Sequence, residues 1–192
     1  MKKILVILGH PDKNTLCGAL AQAYAVGARE SGAEVRELYI GDLKFDPILW
    51  KGYHEIQALE EDLVNAQDAI LWAEHLVFVY PTWWGGMPAL MKGFFDRVFL
   101  PRFAFKYNKE SIFWDRLLAG RSARLIATID SPHWFDRLVY RSAGRLQFKY
   151  AILNFSGISP VRVSVLGSVK NSTPEKRASW ITKVTKLGKS GV

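Results

Sequence analysis

Tyr80-Pro81-Thr82-Trp83-Trp84-Gly85-Gly86-Met87-Pro88-Ala89 follows the apolar run His75-Leu76-Val77-Phe78-Val79 and opens a stretch of helical spacing over 88–99. The run reads as a buried strand over 75–80. Pro88 suits the first turn of a helix, where its missing N–H costs no hydrogen bond. Two tryptophans and two glycines therefore occupy a strand-to-helix loop. In an open parallel sheet that loop lies at the carboxyl ends of the strands, where ligands bind. Indole faces stack on flat rings, and glycine lets the backbone approach a ligand closely. The stretch thus predicts a site for a planar aromatic ring system. The competing expectation, that both tryptophans plug the core beneath the loop, leaves the glycine pair unexplained.

Working outward, Lys3–Leu8 is a continuous apolar run after its lysine, as in a central parallel strand buried on both faces. Asn14 or Thr15 caps an expected helix to about residue 31, ended by Gly32. Glu34–Tyr39 alternates charged and apolar residues like an edge strand, and 62–72 has helical period. Further strands are expected at 123–128 and Val161–Leu166, and further helices at 136–153 and from Thr173-Pro174 to about 187. Five strands alternating with helices predict a single doubly wound parallel α/β sheet, in the flavodoxin-like order 2-1-3-4-5. The loop after the first strand lacks the glycines of a dinucleotide-binding fingerprint and the Gly-Lys-Ser/Thr of a phosphate loop.

That loop still suits an anion. The N–H groups of Thr15, Leu16 and Cys17 would point outward from a helix N-terminus with the positive end of the macrodipole behind them. Asn14 and Thr15 add an amide and a hydroxyl, His10 a donor and Lys13 a charge. The plainer reading of Asn14-Thr15 is a cap alone. In the 2-1-3 order this loop and the Trp-Trp loop follow neighbouring strands, so a ligand with a phosphate tail and a flat ring would lie across both.

With 192 residues the chain is expected to form one domain over 1–192. No apolar run approaches the roughly 20 residues that span a bilayer, and the run at 4–8 lacks the length and cleavage site of a signal peptide. The single cysteine, Cys17, excludes an internal disulfide and fits a reducing compartment, so a cytoplasmic location is expected. The net charge of +8 is uneven: residues 1–101 carry 9 basic and 13 acidic side chains (−4), residues 102–192 carry 17 and 5 (+12). Arg137, Arg141, Arg145 and Lys149 would form a basic stripe along one helical face, either solvated or facing an anionic ligand. Zinc-finger spacings, repeats and low-complexity tails are absent from the sequence, and neither a nucleic-acid partner nor a membrane span is expected.

Gly9-His10-Pro11, Asn14-Thr15-Leu16, Pro81-x-Trp83-Trp84-x-Gly86-Met87-Pro88-Ala89 and Lys92-Gly93-Phe94-Phe95-Asp96-Arg97-Val98 resemble the flavodoxin-like NAD(P)H:quinone oxidoreductases, over residues 2 to about 130. The resemblance implies that His10, Asn14, Thr15, Leu16 and Cys17 hold a flavin phosphate, and that Pro81, Thr82, Trp83, Trp84 and Gly85 hold the ring. After the fourth strand better-known relatives carry a Thr-Thr-Gly-Gly turn followed by a tyrosine and a histidine. Here the segment is Thr128-Ile129-Asp130-Ser131-Pro132-His133-Trp134. Asp130 or Ser131 would meet the flavin's pyrimidine edge, and His133 is the candidate catalytic partner, with simple exposure as its alternative. The resemblance further implies an enzyme that takes hydride from NAD(P)H and passes it to a quinone-type acceptor in two-electron ping-pong steps. FMN is expected, since the chain shows no extra segment for an adenosine, and FAD stays open. A homodimer is implied, with the helix at 88–99 and an aromatic arm at 100–120 meeting a second subunit at the active site. A flavodoxin-type electron carrier and a regulatory subunit of a membrane transporter are the alternative functions.

Overall fold

A computed structural model describes residues 1–108 and 112–191; residues 109–111 of the expected excursion, and residue 192, lie outside the described residues. The elements are β1 (Lys3–Leu8), α1 (Leu16–Glu30), β2 (Glu34–Tyr39), α2 (Glu61–Trp72), β3 (His75–Pro81) and α3 (Ala89–Val98). An antiparallel pair, β4 (Phe105–Tyr107) and β5 (Trp114–Arg116), precedes β6 (Ser122–Thr128). Two short helices, α4 (His133–Leu138) and α5 (Ala143–Leu146), run into a π-helical segment, Gln147–Asn154, before β7 (Val161–Leu166) and α6 (Pro174–Lys189). The main sheet is parallel with order β2-β1-β3-β6-β7, the expected doubly wound arrangement.

Alternate residues of the central strands feed two cores, as the period of two requires. Leu5, Ile7, Leu76, Phe78 and Tyr80 face α2, α3 and Phe148 of the π-helical segment. Ile4, Val6, Leu8, Val77 and Val79 face α1 and α6. The chain leaves β1 and β3 toward opposite faces, which opens a crevice between their carboxyl ends.

Two expectations are corrected. The helix expected over 136–153 is broken at 139–142, where Arg141 and Ser142 take left-handed backbone angles, φ 51° and 55°. The basic stripe therefore does not form. Arg145 turns inward, 5% exposed, and pairs with the buried carboxylate of Asp136. The aromatic arm packs on its own domain: Phe105 sits edge-on to Phe155 at 5.1 Å, and Trp114 stacks on the same ring at 4.4 Å. The apolar helix α3 also has a cover within the chain. Its fully buried Arg97 donates to Glu60 Oε2 (2.8 Å), to the carbonyl of Ala58 (2.9 Å) and to that of Asp46, tying the irregular segment 43–60 across it.

At the start of β3, His75 is fully buried, with Nδ1 2.8 Å from Ser122 Oγ and Nε2 without a partner among the described residues. Burial, reinforced by Lys2, Arg124 and Arg162, pushes its pKa down to about 3. The unfolded chain takes up this proton below about pH 6.5 and the folded one does not. Stability from this group is therefore full above pH 6.5 and is lost as the pH falls toward 3, with a limiting slope of about 1.4 kcal/mol per pH unit. Urea unfolding between pH 7 and 4 should show that slope, and His75→Asn should remove its share. Parallel pH profiles for the two proteins would refute the assignment.

Candidate functional site

Three loops meet at the carboxyl ends of β1, β3 and β6. The first begins at Gly9, whose N–H reaches across to the carbonyl of Val79 (2.8 Å). Within it, Asp12 organises the turn: its carboxylate accepts from Asn14 N–H (2.8 Å) and its carbonyl from the Thr15 hydroxyl (3.1 Å). Thr15 is the N-cap of α1, and its Oγ1 accepts from Gly18 N–H (3.4 Å). The N–H groups of Leu16 and Cys17 fall in the first turn, where a helix offers no internal acceptor. His10 Nδ1 accepts from Asp12 N–H (2.9 Å), which in the neutral ring puts the proton on Nε2 and makes that atom a donor. Lys13 is drawn to Asp42 (2.8 Å) instead of toward an external anion.

The second loop is a tight two-residue turn. Trp83 and Gly86 exchange both backbone hydrogen bonds at 3.0 Å, with Trp84 (φ 50°) and Gly85 (φ 76°) at its corners. Positive φ at both corners is the geometry of a primed turn, natural for Gly85 and unusual for a tryptophan. Neither tryptophan plugs the core. Trp84 is fully exposed, and Trp83 is 45% exposed with its ring edge-on to His10 at 5.5 Å. The third loop is joined to the second through Thr82 N–H and the carbonyl of Thr128 (2.7 Å), and it is fastened to the loop after β7 where Asp130 Oδ1 accepts from Lys170 N–H (3.1 Å).

These loops line two adjoining depressions that share Thr82, Ile129 and Asp130. The smaller, about 180 Å³, gathers His10, Thr15, Leu16, Cys17, Pro81 and Trp83. The larger, about 530 Å³, gathers Trp84, Gly85, Ser131, Asp136, Tyr140 and Ala143. Most of the site residues expected from the sequence thus line one crevice. Asn14 faces a separate hollow beside Gln22 and Tyr39. His133 stands exposed at the first position of α4 and lines neither depression. Sequence reasoning missed Tyr140, which a continuous helix would have carried away from the site, and Asp136, whose burial rests on its pairing with Arg145. It also missed Val169, which the loop after β7 brings to the smaller depression.

Two observations bear on what the crevice holds. Thr82 Oγ1 is buried without a partner among the described residues, on the boundary of both depressions. The Cys17 thiol lies 3.4 Å from Thr128 Oγ1, and burial pushes its pKa up to about 11, so the residue contributes its backbone N–H to the loop and no thiolate. First-turn N–H groups, a histidine donor and an unmatched hydroxyl fit an anionic tail, and exposed indoles beside an open hollow fit a flat ring.

Comparison with known proteins agrees with this architecture. A Haemophilus influenzae protein named as an uncharacterized NAD(P)H oxidoreductase is 32% identical over 188 residues, 92% of this chain and 89% of its own. A Macrococcus caseolyticus protein named FMN-dependent NADH:quinone oxidoreductase is 26% identical over 215 residues, 99% of this chain and all of its own. The structure of Smu.1420 from Streptococcus mutans superposes with a TM-score of 0.83 at 28% identity, covering 98% of this chain and 99% of that one. With residues 2–186 matching the family described as the flavodoxin-like fold, and with that fold's crevice between β1 and β3, the chain belongs to the flavodoxin-like fold family.

Proposed function

We propose that the protein is a flavin-dependent NAD(P)H:quinone oxidoreductase that binds FMN across the crevice. The observation that carries this reading is the convergence of the α1 N-terminus, the Trp83–Gly86 turn and the 128–131 loop around one partnerless hydroxyl, Thr82 Oγ1. Names of full-length relatives support it, among them the NAD(P)H oxidoreductase of H. influenzae and the FMN-dependent NADH:quinone oxidoreductase of M. caseolyticus.

Bound flavin supplies the hydride chemistry, and the protein supplies binding, orientation and field. The N–H groups of Leu16 and Cys17 and His10 Nε2 would hold the phosphate, with the Thr15 hydroxyl shaping the loop through its bonds to the Asp12 carbonyl and the Gly18 N–H. Pro81, Thr82 and Trp83 would lie along the ring, and Trp84 and Gly85 would form its outer wall. Asp130 and Ser131 would meet the polar edge of the ring. Tyr140, half-exposed in the larger depression, brings a phenol to the position for which the sequence offered His133. One flat hollow over one ring face accepts nicotinamide or quinone in turn, not both together. A cytoplasmic location and a two-fold dimer belong to the same reading. The exposed Tyr107 and Ile112 beside β4 and β5 form a surface that a second copy would cover.

Three measurements test it. FMN titration should show saturable binding, and Thr82→Val should weaken it by about 0.5–1.5 kcal/mol without destabilising the apoprotein, because the lost hydroxyl has no partner there. Unchanged FMN affinity in that variant would dismiss the assigned contact, and a wild-type protein that takes up neither FMN nor FAD would end the reading. Initial rates at several fixed quinone concentrations should give parallel double-reciprocal lines against NAD(P)H; intersecting lines would mean that both substrates bind at once. Light scattering should give twice the chain mass, and a fully active monomer would rule out the dimer.

A further inference from the structure

Asp136, on the wall of the larger depression, forms a buried ion pair with Arg145. Asp136 and Arg145 are 4% and 5% exposed. Arg145 Nη2 donates to Asp136 Oδ2 and to Ser142 Oγ (2.7 Å), and the Ser142 hydroxyl lies 3.2 Å from the same carboxylate oxygen. Ser142 N–H also donates to the Asp136 carbonyl (3.1 Å). This triangle closes the 136–145 segment into a loop and holds Arg141 and Ser142 at positive φ, a conformation that non-glycine residues keep only where their surroundings impose it.

What the closed loop presses upon is the Trp-Trp turn. Gly144 lies so close to that turn that a Cβ built on it would stand 2.0 Å from the Gly85 carbonyl oxygen and 2.8 Å from Gly86 Cα. The turn itself is held by two hydrogen bonds between Trp83 and Gly86, and its outer corner, Trp84, is fully exposed. Its inner corner rests on Gly144. The loop and the turn are then the two walls of the larger depression, with Tyr140 and Ala143 on one side and Trp84 and Gly85 on the other.

We infer that Asp136, Arg145 and Ser142 are positioning residues, which set the orientation of the Trp84–Gly85 turn through the contact of Gly144 on the Gly85 carbonyl and so fix the width of the ring site. The consequence for the cofactor rests on the flavin reading, whereas the mechanical coupling does not. A buried pair that served only to stabilise α4 and α5 would leave the turn unaffected.

Amide hydrogen exchange of the apoprotein reads the coupling directly, and FMN titration of the same samples reads its effect. In Asp136→Asn, and independently in Gly144→Ala, the Trp83 and Gly86 amides should exchange about tenfold faster or more, while central β3 amides at 76–79 keep their wild-type rates. The FMN dissociation constant should rise by ten- to roughly a hundredfold, and the visible absorption envelope of bound FMN should change shape. Unchanged exchange at Trp83 and Gly86, with acceleration confined to α4 and α5, would overturn the inference. If Asp136→Asn does not fold, Ser142→Ala, which removes one arm of the triangle while keeping both charges and leaving Gly144 in place, decides by the same two amides. A wild-type protein that does not bind FMN would defeat the proposed function but leave the exchange result to settle the coupling.

Discussion

β1 and β3 are parallel, adjacent and buried on both faces, and a right-handed crossover can leave each of them on only one side of the sheet. The chain goes from β1 to α1 on one face and from β3 to α3 on the other. No connecting loop can then bridge the carboxyl ends of these two strands, and their exposed polar ends face a gap. The candidate site is arranged around that gap: the α1 N-terminus on one lip, the Trp83–Gly86 turn on the other, and the ends of β6 and β7 closing the side. The position of the site is a topological result, and side chains only decide what it prefers.

Much of this was legible in the sequence because the central strands bury both faces, which leaves unbroken apolar runs at 4–8 and 75–80 with little helical alternative. The cap at Thr15 was legible for a local reason, since hydroxyl, turn and first helical residues are neighbours in the chain. The 136–153 region was not. Arginines at 137, 141 and 145 repeat every fourth residue, as an exposed helical face does, and nothing local says that one of them turns inward. The break is a tertiary event, decided by Asp136 meeting Arg145 and by the room that Gly144 leaves against Gly85. Tyr140 entered the site by that same event, so its place was illegible for the same reason. The cover over α3 was hidden too, because the segment 43–60 carries no periodic signal and is held by carbonyls bonded to Arg97.

The uneven charge of the chain has a partly internal explanation. In the basic half, Arg121 donates to the carbonyls of Ile70 (3.1 Å) and Leu71 (2.7 Å), closing the end of α2. Arg124, 7% exposed, donates to Ser164 Oγ (3.0 Å), and Arg145 is committed to Asp136. A planar guanidinium with five donors is suited to binding oxygens that the fold leaves unmatched. Part of the basic surplus is therefore scaffold, and the charge available to attract anions from solution is smaller than the formal count.

Cys17 is the chain's one cysteine, and it stands on the wall of the crevice beside Thr128. Burial pushes its pKa up to about 11, so the neutral thiol dominates at pH 7. Thiolates, not thiols, attack electrophilic carbon and react with peroxides. The single sulfur nucleophile nearest the crevice is thereby kept chemically silent. An electrophile held in that crevice would meet a neutral thiol at this wall and no thiolate.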